Sequence, residues 1–401
     1  MALIIQKFGG TSVADTKRIK EVTRIIKSEI ELGNQVIVVV SAMAGVTNHL
    51  INLCKEVSEL HTEDNMAEYD LALCSGEMVT TALITLSLQE NGLKSRSILG
   101  WQLPILTCSH YGKALVEKID TNLLVLCLNQ NIIPVIAGFQ GVTEDNRCTT
   151  LGRGGSDTTA AIISAAVRAD RCDIYTDVDG IFTTDPKIVR KAKKLMYISF
   201  EEMLAFTSSG AKVLTSRCVE IAMQHSVPIR VLSSFSIEKG TLITSRSAIM
   251  ENRVITGIVS NNNLLQVSIE DPILNLNQIY YLMLKNSINI ELMLSLEIKK
   301  KYSFIAQLND KHRLDTLLAE LKETKQITDS SININISMIS IIGYGIANDS
   351  NVMKVLLNKL DTEGILVLMI QPLDIKIVLL VNTYDHEKAI NVLHEFFELD
   401  K

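Results

Sequence analysis

The chain has 401 residues, 47% of them hydrophobic and 21% charged, which is enough to fill the cores of two or three globular domains. Its formal charge of -6 excludes a general polyanion binder, because nucleic-acid affinity needs a field of Lys and Arg, so any anion site must be local. Seven scattered cysteines without a C-x-x-C pair or zinc-ligand spacing read as reduced thiols of a cytoplasmic protein, and neither a signal-peptide core nor an apolar run of membrane-spanning length is present.

Residues 2–8 (ALIIQKF) predict a buried strand. Over residues 15–32, Ile19, Val22, Ile26 and Ile30 repeat at helical spacing before Gly33 ends the helix. VIVVVSA (36–42) predicts a second strand, residues 46–90 a pair of helices, and residues 96–99 and 132–137 two further strands. A helix over 158–168, a strand at CDIYTDV (172–178), two short helices and a strand at PIRVLSS (228–234) continue the alternation. Apolar strands alternating with helices imply an α/β fold, a mostly parallel sheet sandwiched by helices, with ligands at the strand C-terminal ends. SRSAIMENR (245–253) reads as a linker closing a domain of residues 1–250.

Beyond it the composition turns to Ile, Leu and Asn. LLQVSIE (264–270), a helix, NIELML (289–294) and YSFIAQL (302–308) give one strand-helix-strand-strand unit. NISMISIIG (335–343), a helix over 351–360, ILVLMIQ (365–371), DIKIVLLV (374–381) and a helix over 386–397 repeat it. Two small α+β modules are therefore expected, at 255–330 and 333–401. The glycines of GYGIAN (343–348) do not make a dinucleotide turn, since the third glycine position is Asn348, and are expected to form a loop.

Chemistry concentrates in two glycine-rich segments, KFGGTS (7–12) and TLGRGGSD (150–157), each expected where a strand meets a helix. Glycine admits close backbone approach to oxygen atoms, helix N-termini aim N–H groups at anions, and Lys7 and Arg153 add positive charge. Two such turns can hold a polyphosphate, although neither is a Walker loop. Each residue also has a structural reading. Lys7 is either a strand-end lysine before a tight turn or a phosphate ligand, and Ser156 or Asp157 either caps a helix or serves a ligand. Glu77, in Ser75-Gly76-Glu77, is either a first-turn acid favoured by the helix dipole or the receptor of a substrate ammonium. Ser41 is a helix cap or a site hydroxyl, and Lys212 a surface lysine. The TDVDGIFTTDPK segment (176–187) lacks the calcium-loop pattern and is either an exposed turn or a nucleotide cradle.

Over essentially its whole length the chain resembles the monofunctional bacterial aspartokinases. The motifs that carry the resemblance are KFGGTSVAD (7–15), VVVSAMAGVTN (38–48), SGE (75–77), AGFQGVT (137–143), TTLGRGGSDTTA (149–160), YTDVDGIFTTDP (175–186), SFEEM (199–203) and GAKVL (210–214). The resemblance implies the amino acid kinase fold followed by two ferredoxin-like ACT modules. It also implies transfer of the γ-phosphoryl of Mg2+-bound ATP to the β-carboxylate of L-aspartate, at the head of lysine, threonine, methionine and diaminopimelate synthesis. By the same resemblance Lys7, Gly9, Gly10 and Thr11 would serve the transferring phosphoryl. Ser41, Thr47, Glu77, Arg153, Gly154 and Ser156 would hold aspartate, with Arg153 on its α-carboxylate, and Asp157 would organise Lys7 and the metal. Thr176, Asp177, Phe182, Thr183, Asp185, Pro186, Lys187 and Lys212 would form the nucleotide side. Mg2+ would be carried mainly by the ATP phosphates, so no protein metal ligands are assigned.

The aspartate carboxylate is already ionised at neutral pH, with a reference pKa of about 3.9, so the absence of His from these motifs is consistent with the reaction. The ACT modules would bind a feedback amino acid, lysine or threonine, and join subunits into a homodimer or larger homo-oligomer, with neither nucleic acid nor membrane as partner. Here the chain departs from the family pattern: the first module's proline-glycine turn is Asp271-Pro-Ile-Leu274, and the second module's Ser-Thr-Ser-Glu stretch is Gln371-Pro-Leu-Asp374. Phe182 and Lys187 also stand where tyrosine and arginine are common. Weak or absent inhibition by lysine or threonine is therefore expected. The competing expectations are another carboxylate kinase of the same fold and an inactive amino-acid sensor on a kinase scaffold.

Overall fold

The computed structural model describes residues 1–60, 62–249, 254–270, 272–296, 301–344, 346 and 350–401. Parts of the expected linker at 245–253, of the turn at 271–274 and of the GYGIAN loop lie outside the described residues. The chain divides into two units, Met1–Phe182 with Lys194–Asn252, and Thr183–Lys193 with Arg253–Lys401.

The first unit runs β1 (Leu3–Phe8), α1 (Thr16–Glu31), β2 (Gln35–Val40), α2 (Val46–Val57), α3 (Glu63–Glu90), β3 (Ser95–Ile98), β4 (Ile105–Thr107), β5 (Val116–Ile119), α4 (Asn122–Asn129) and β6 (Ile133–Ala137). It continues with β7 (Gln140–Val142), β8 (Cys148–Thr150), α5 (Gly155–Ala166), β9 (Arg171–Thr176), β10 (Tyr197–Ser199), α6 (Phe200–Ser208), α7 (Ser216–Gln224), β11 (Ile229–Ser233) and β12 (Thr241–Thr244). Its main sheet has the order β10-β12-β11-β9-β1-β2-β6-β3 and is parallel except between β11 and β12. Covered on both faces, the central strands read as unbroken apolar runs, as expected.

Strand alternation sorts the residues of β1. Phe8 joins Val36, Val38, Val40 and Tyr175 in a cluster with Ile19, Val22 and Ile26 of α1 and Ile84 and Leu88 of α3. Lys7, one residue earlier, faces the other way, toward Asp157 of α5. The chain passes from β1 to β2 on one side while β9 pairs on the other, so the carboxyl ends of these strands and β6 surround a crevice at the switch point.

Three local expectations are corrected. First, a second sheet, β5-β4-β7-β8, was not foreseen, because strands of three or four residues are too short to display an alternating pattern. Second, α5 starts at Gly155 and not near residue 158. Gly154 caps it in the left-handed region (φ 68), where a Cβ would also lie 2.0 Å from Thr215 Cγ2, so Ser156 and Asp157 fall inside the first turn and neither side chain caps it. Third, α3 is a single 28-residue helix, so Glu77 sits in its middle and the first-turn account of that residue fails. With a mean hydropathy of 1.6 over an 18-residue window, α3 is also long and apolar enough to cross a membrane, contrary to expectation. Here it is packed into the unit's core, with Asp70, Glu77, Thr80 and Thr81 buried.

The second unit contains β13 (Gly257–Asn261), β14 (Leu264–Glu270), α8 (Leu276–Lys285), β15 (Ile290–Leu296), β16 (Lys301–Gln307), α9 (Lys311–Glu323) and β17 (Asp329–Asn333). Then follow β18 (Ile336–Ile342), α10 (Ser350–Thr362), β19 (Val367–Leu373), β20 (Lys376–Asn382) and α11 (His386–Phe396). The expected strand-helix-strand-strand order occurs twice, in sheets β15-β16-β14-β17 and β13-β18-β20-β19, and the first module also carries α9 and β17, which were not expected.

The linear division at 250, 255–330 and 333–401 is corrected in two places. β13 precedes the first module but pairs with β18 of the second. The segment Thr183–Lys193 folds with this unit: Val189 is buried with Ile255, Ile258 and Leu393, and Ile188 packs against them. Its entry is fixed by Ile258 N, which donates to Thr183 O at 2.7 Å, and by a 3.0 Å hydrogen bond between the Thr183 hydroxyl and His394 Nε2.

Candidate active site

At the carboxyl ends of β1 and β2 lies a cleft of about 310 Å3 that gathers Lys7, Gly10, Ser41, Thr47, Glu77, Arg153, Gly154, Ser156 and Asp157. Each arrives there for a local reason. The β1 strand ends at Phe8, and the following turn is closed by Ser12 N donating to Gly9 O at 2.9 Å and Val13 N to Gly10 O at 3.3 Å. At Gly10 a Cβ would meet Ala42 O at 2.9 Å, so only glycine lets this turn lie against the end of β2. One expectation fails here. Gly9 N donates to Tyr175 O at 3.0 Å, which ties the turn to β9 and commits the N–H that was expected to reach a phosphoryl group.

Lys7 and Asp157 form an ion pair of 2.5 Å, and each residue is 8% exposed. Asp157 also occupies the first turn of α5, where a carboxylate is favoured by the helix dipole. The pair therefore fixes an ammonium group beside the N-terminus of a helix, a cationic end wall for the cleft.

Glu77, 3% exposed, accepts from Ala42 N through Oε1 at 3.0 Å, while Oε2 is buried without a hydrogen-bond partner among the described residues. Burial, offset only in part by those backbone contacts, raises its pKa to about 7. An orphaned acceptor on a carboxylate held at the edge of ionisation is an unfilled place for a cation. Opposite in charge, Arg153 projects from the glycine loop, exposed and free of any hydrogen bond or ion pair among the described residues. Ser41 is a wall residue and not a helix cap, because α2 is capped by Gly45.

Met43, Ala44, Asn48 and Phe139 also line the cleft and were not singled out from the sequence. Asn48 lay inside a motif already noticed, VVVSAMAGVTN, which was the available signal. Of the other residues expected to serve a ligand, Thr11, Asp177 and Lys212 are exposed in the first unit, outside this lining. Thr176 Oγ1 donates to Asp177 Oδ1 at 3.1 Å, and Phe182 pairs with Lys194 in an isolated bridge. Asp185, Pro186 and Lys187 are exposed in the second unit, where Asp185 Oδ1 accepts from Lys187 N at 2.8 Å. Among the described residues no group of three or more His, Cys, Asp or Glu side chains is placed to hold a metal.

This constellation has a family. A model of the amino acid kinase family matches residues 2–233, and one of the ACT domain matches residues 339–397. The aspartokinase of Rickettsia felis is 54% identical over the full length of both chains. Aspartokinase 2 of Bacillus subtilis is 38% identical over 100% of this chain and 99% of its own. Among solved structures, E. coli aspartokinase III in complex with aspartate and ADP superposes with a TM-score of 0.79 over 98% of this chain and 99% of its own, at 24% identity, a likeness of fold.

Proposed function

The chain belongs to the aspartokinases of the amino acid kinase family, and on that premise we propose how its cleft transfers the γ-phosphoryl of ATP to the β-carboxylate of L-aspartate, giving 4-phospho-L-aspartate for amino-acid biosynthesis. The observation that carries the assignment of residues is the presence in one cleft of two opposite unmatched groups, the orphaned carboxylate oxygen of Glu77 and the free guanidinium of Arg153. An α-amino acid presents their complements, an ammonium and a carboxylate. Arg153 takes the α-carboxylate by its planar fork, Glu77 the α-ammonium, and Ser41, Thr47, Gly154 and Ser156 complete the wall.

The side chain of aspartate is then directed at Lys7. One of its carboxylate oxygens attacks the γ-phosphorus, the bond to the bridging oxygen breaks, and ADP leaves with that electron pair. No proton has to be removed from the nucleophile, so the cleft needs no general base. Its task is to hold the reactants in line and to neutralise charge spreading over the phosphoryl oxygens. Lys7, prepositioned by Asp157, and the Gly10 N–H supply that neutralisation from the protein. Thr11, Thr176, Asp177, Phe182 and Lys212 of the first unit, and Thr183, Asp185, Pro186 and Lys187 of the second, are the residues assigned to the nucleotide.

A Mg2+ carried by the nucleotide fits this cleft, since Mg2+ keeps its waters and takes few protein carboxylates, and the lining offers Glu77 and Asp157. When bound, that ion would offset phosphate charge, and Asp157 of the cleft lining would be the carboxylate that faces it. The ACT modules join two copies of the chain, and regulation by lysine or threonine is weak for want of the effector turn. Seven free cysteines suit a reducing cytoplasm.

Arg153→Ala tests the assignment. With aspartate, ATP and hydroxylamine, the KM for aspartate is expected to rise roughly thirtyfold, the loss of a charge-assisted contact, while the KM for ATP holds. An unchanged KM for aspartate would remove Arg153 from the site.

A further inference from the structure

The site as proposed uses Glu77 of α3 but gives no role to a second carboxylate of the same helix. Asp70, seven residues earlier, lies on the same helical face two turns away. It is 0% exposed, and three donors converge on it. Thr150 N and Gly112 N donate to Oδ2 at 2.7 and 2.9 Å, and the Thr150 hydroxyl donates to Oδ1 at 2.8 Å. Burial raises the Asp70 pKa in spite of these bonds, so the carboxyl is held where solvation alone would not place it.

What it grips is the root of the glycine loop. Thr150 is the last residue of β8, and Arg153 follows three residues later. The same root is cross-braced by Ala114 N donating to Thr150 O at 2.9 Å, and by Arg217 Nη1 donating to Ala114 O and Leu151 O at 3.2 and 3.3 Å. Arg153 itself has no hydrogen bond or ion pair among the described residues, so the place from which its guanidinium reaches is set by this frame.

We infer that Asp70 is a positioning residue for the amino-acid substrate, fixing the origin of Arg153 through Thr150 and Gly112. In that case α3 governs both ends of the bound zwitterion, one directly through Glu77 and the other through Asp70. The inference rests on the role proposed for Arg153.

Asp70→Ala, Asp70→Asn and Arg153→Ala, each in the full chain, separate the possibilities. Asp70→Ala leaves three buried donors without an acceptor and should raise the KM for aspartate about tenfold, with the KM for ATP unchanged. Asp70→Asn should restore it, because the amide oxygen accepts both N–H groups while the amide nitrogen donates to the Thr150 hydroxyl. A residue that served only stability would lower kcat through the fraction of active enzyme and leave both KM values alone, and that result would overturn the proposal. An Asn variant as impaired as the Ala variant would overturn it too. Should Asp70→Ala fail to fold, Thr150→Val deletes one donor at nearly constant volume and is expected to raise the KM for aspartate roughly threefold; no rise refutes the role. If Arg153→Ala itself leaves the KM for aspartate unchanged, the parent assignment fails and takes Asp70 with it. If it raises the KM and Asp70→Ala does not, only the role of Asp70 falls.

Discussion

On the amino-acid side of the proposed site, Lys7, Glu77, Ser156 and Asp157 are each no more than 8% exposed, drawn from β1, α3 and α5 of one unit. Of the residues proposed for the nucleotide, Asp177 and Lys212 are exposed in the first unit and Asp185, Pro186 and Lys187 are exposed in the second. Groups that must meet charge as it develops are fixed before substrate arrives, because reorganising them during the reaction would cost part of the barrier reduction. Groups that only bind a large ligand can rely on many weak contacts. The two sides should therefore differ in how sharply they respond to loss of a single atom group.

The largest effect is expected on the fixed side. Lys7→Ala removes the ammonium beside the migrating phosphoryl and leaves the Asp157 carboxylate buried without its partner. Turnover should fall about a thousandfold, with a small change in the KM for aspartate, and unfolding should be easier by on the order of 3 kcal/mol. Equal losses in turnover and in aspartate affinity would remove the distinction between the two regions.

A smaller effect with a pH signature is expected at Glu77. Its folded-state pKa of about 7 lies above the ordinary glutamate value of 4.5, so the folded protein retains a proton that the unfolded chain has released. The contribution of this group to stability is full below pH 4.5 and is lost as the pH rises through about 7. That loss is on the order of 3 kcal/mol for the substrate-free protein. Glu77→Gln should abolish the decline, as denaturant midpoints measured from pH 5 to 8 would record. Because the substrate ammonium pairs with the ionised form, the wild-type KM for aspartate should drop several-fold across the same range, and the variant profile should be flat. A flat wild-type profile would put the ammonium elsewhere.

The smallest effect is expected at the edge. His394→Ala removes one of the two partners of the Thr183 hydroxyl, the other being Lys193 N, and loosens the segment that bears Asp185 and Lys187. The KM for ATP should rise about threefold, with the KM for aspartate unaltered. A matching change in both constants would argue against a role confined to the nucleotide.

Much of the fixed side could be read from the chain alone. Lys7 before Gly9 and Gly10, and Arg153 between Gly152 and Gly154, announced strand-to-helix turns, and the apolar runs around them announced a buried parallel sheet. What escaped was set by distance in the chain or by brevity. The three-residue strands β4, β7 and β8 carry no period, yet β8 and Asp70 together hold the arginine loop. The start of α5 was misplaced because a glycine cap leaves no side-chain signature. The Gly9 N–H was misassigned because its acceptor, Tyr175 O, lies in another strand. The pairing of β13 with β18 joins segments whose periodicity gives no hint of partnership.

The hydrogen bond from Thr183 to His394 spans 211 residues. During synthesis at roughly 5–20 residues per second, the segment at 183–193 leaves the ribosome on the order of ten seconds before the helix that anchors it exists. A nascent first unit can thus close its sheet and form its Lys7–Asp157 pair before the second unit is complete.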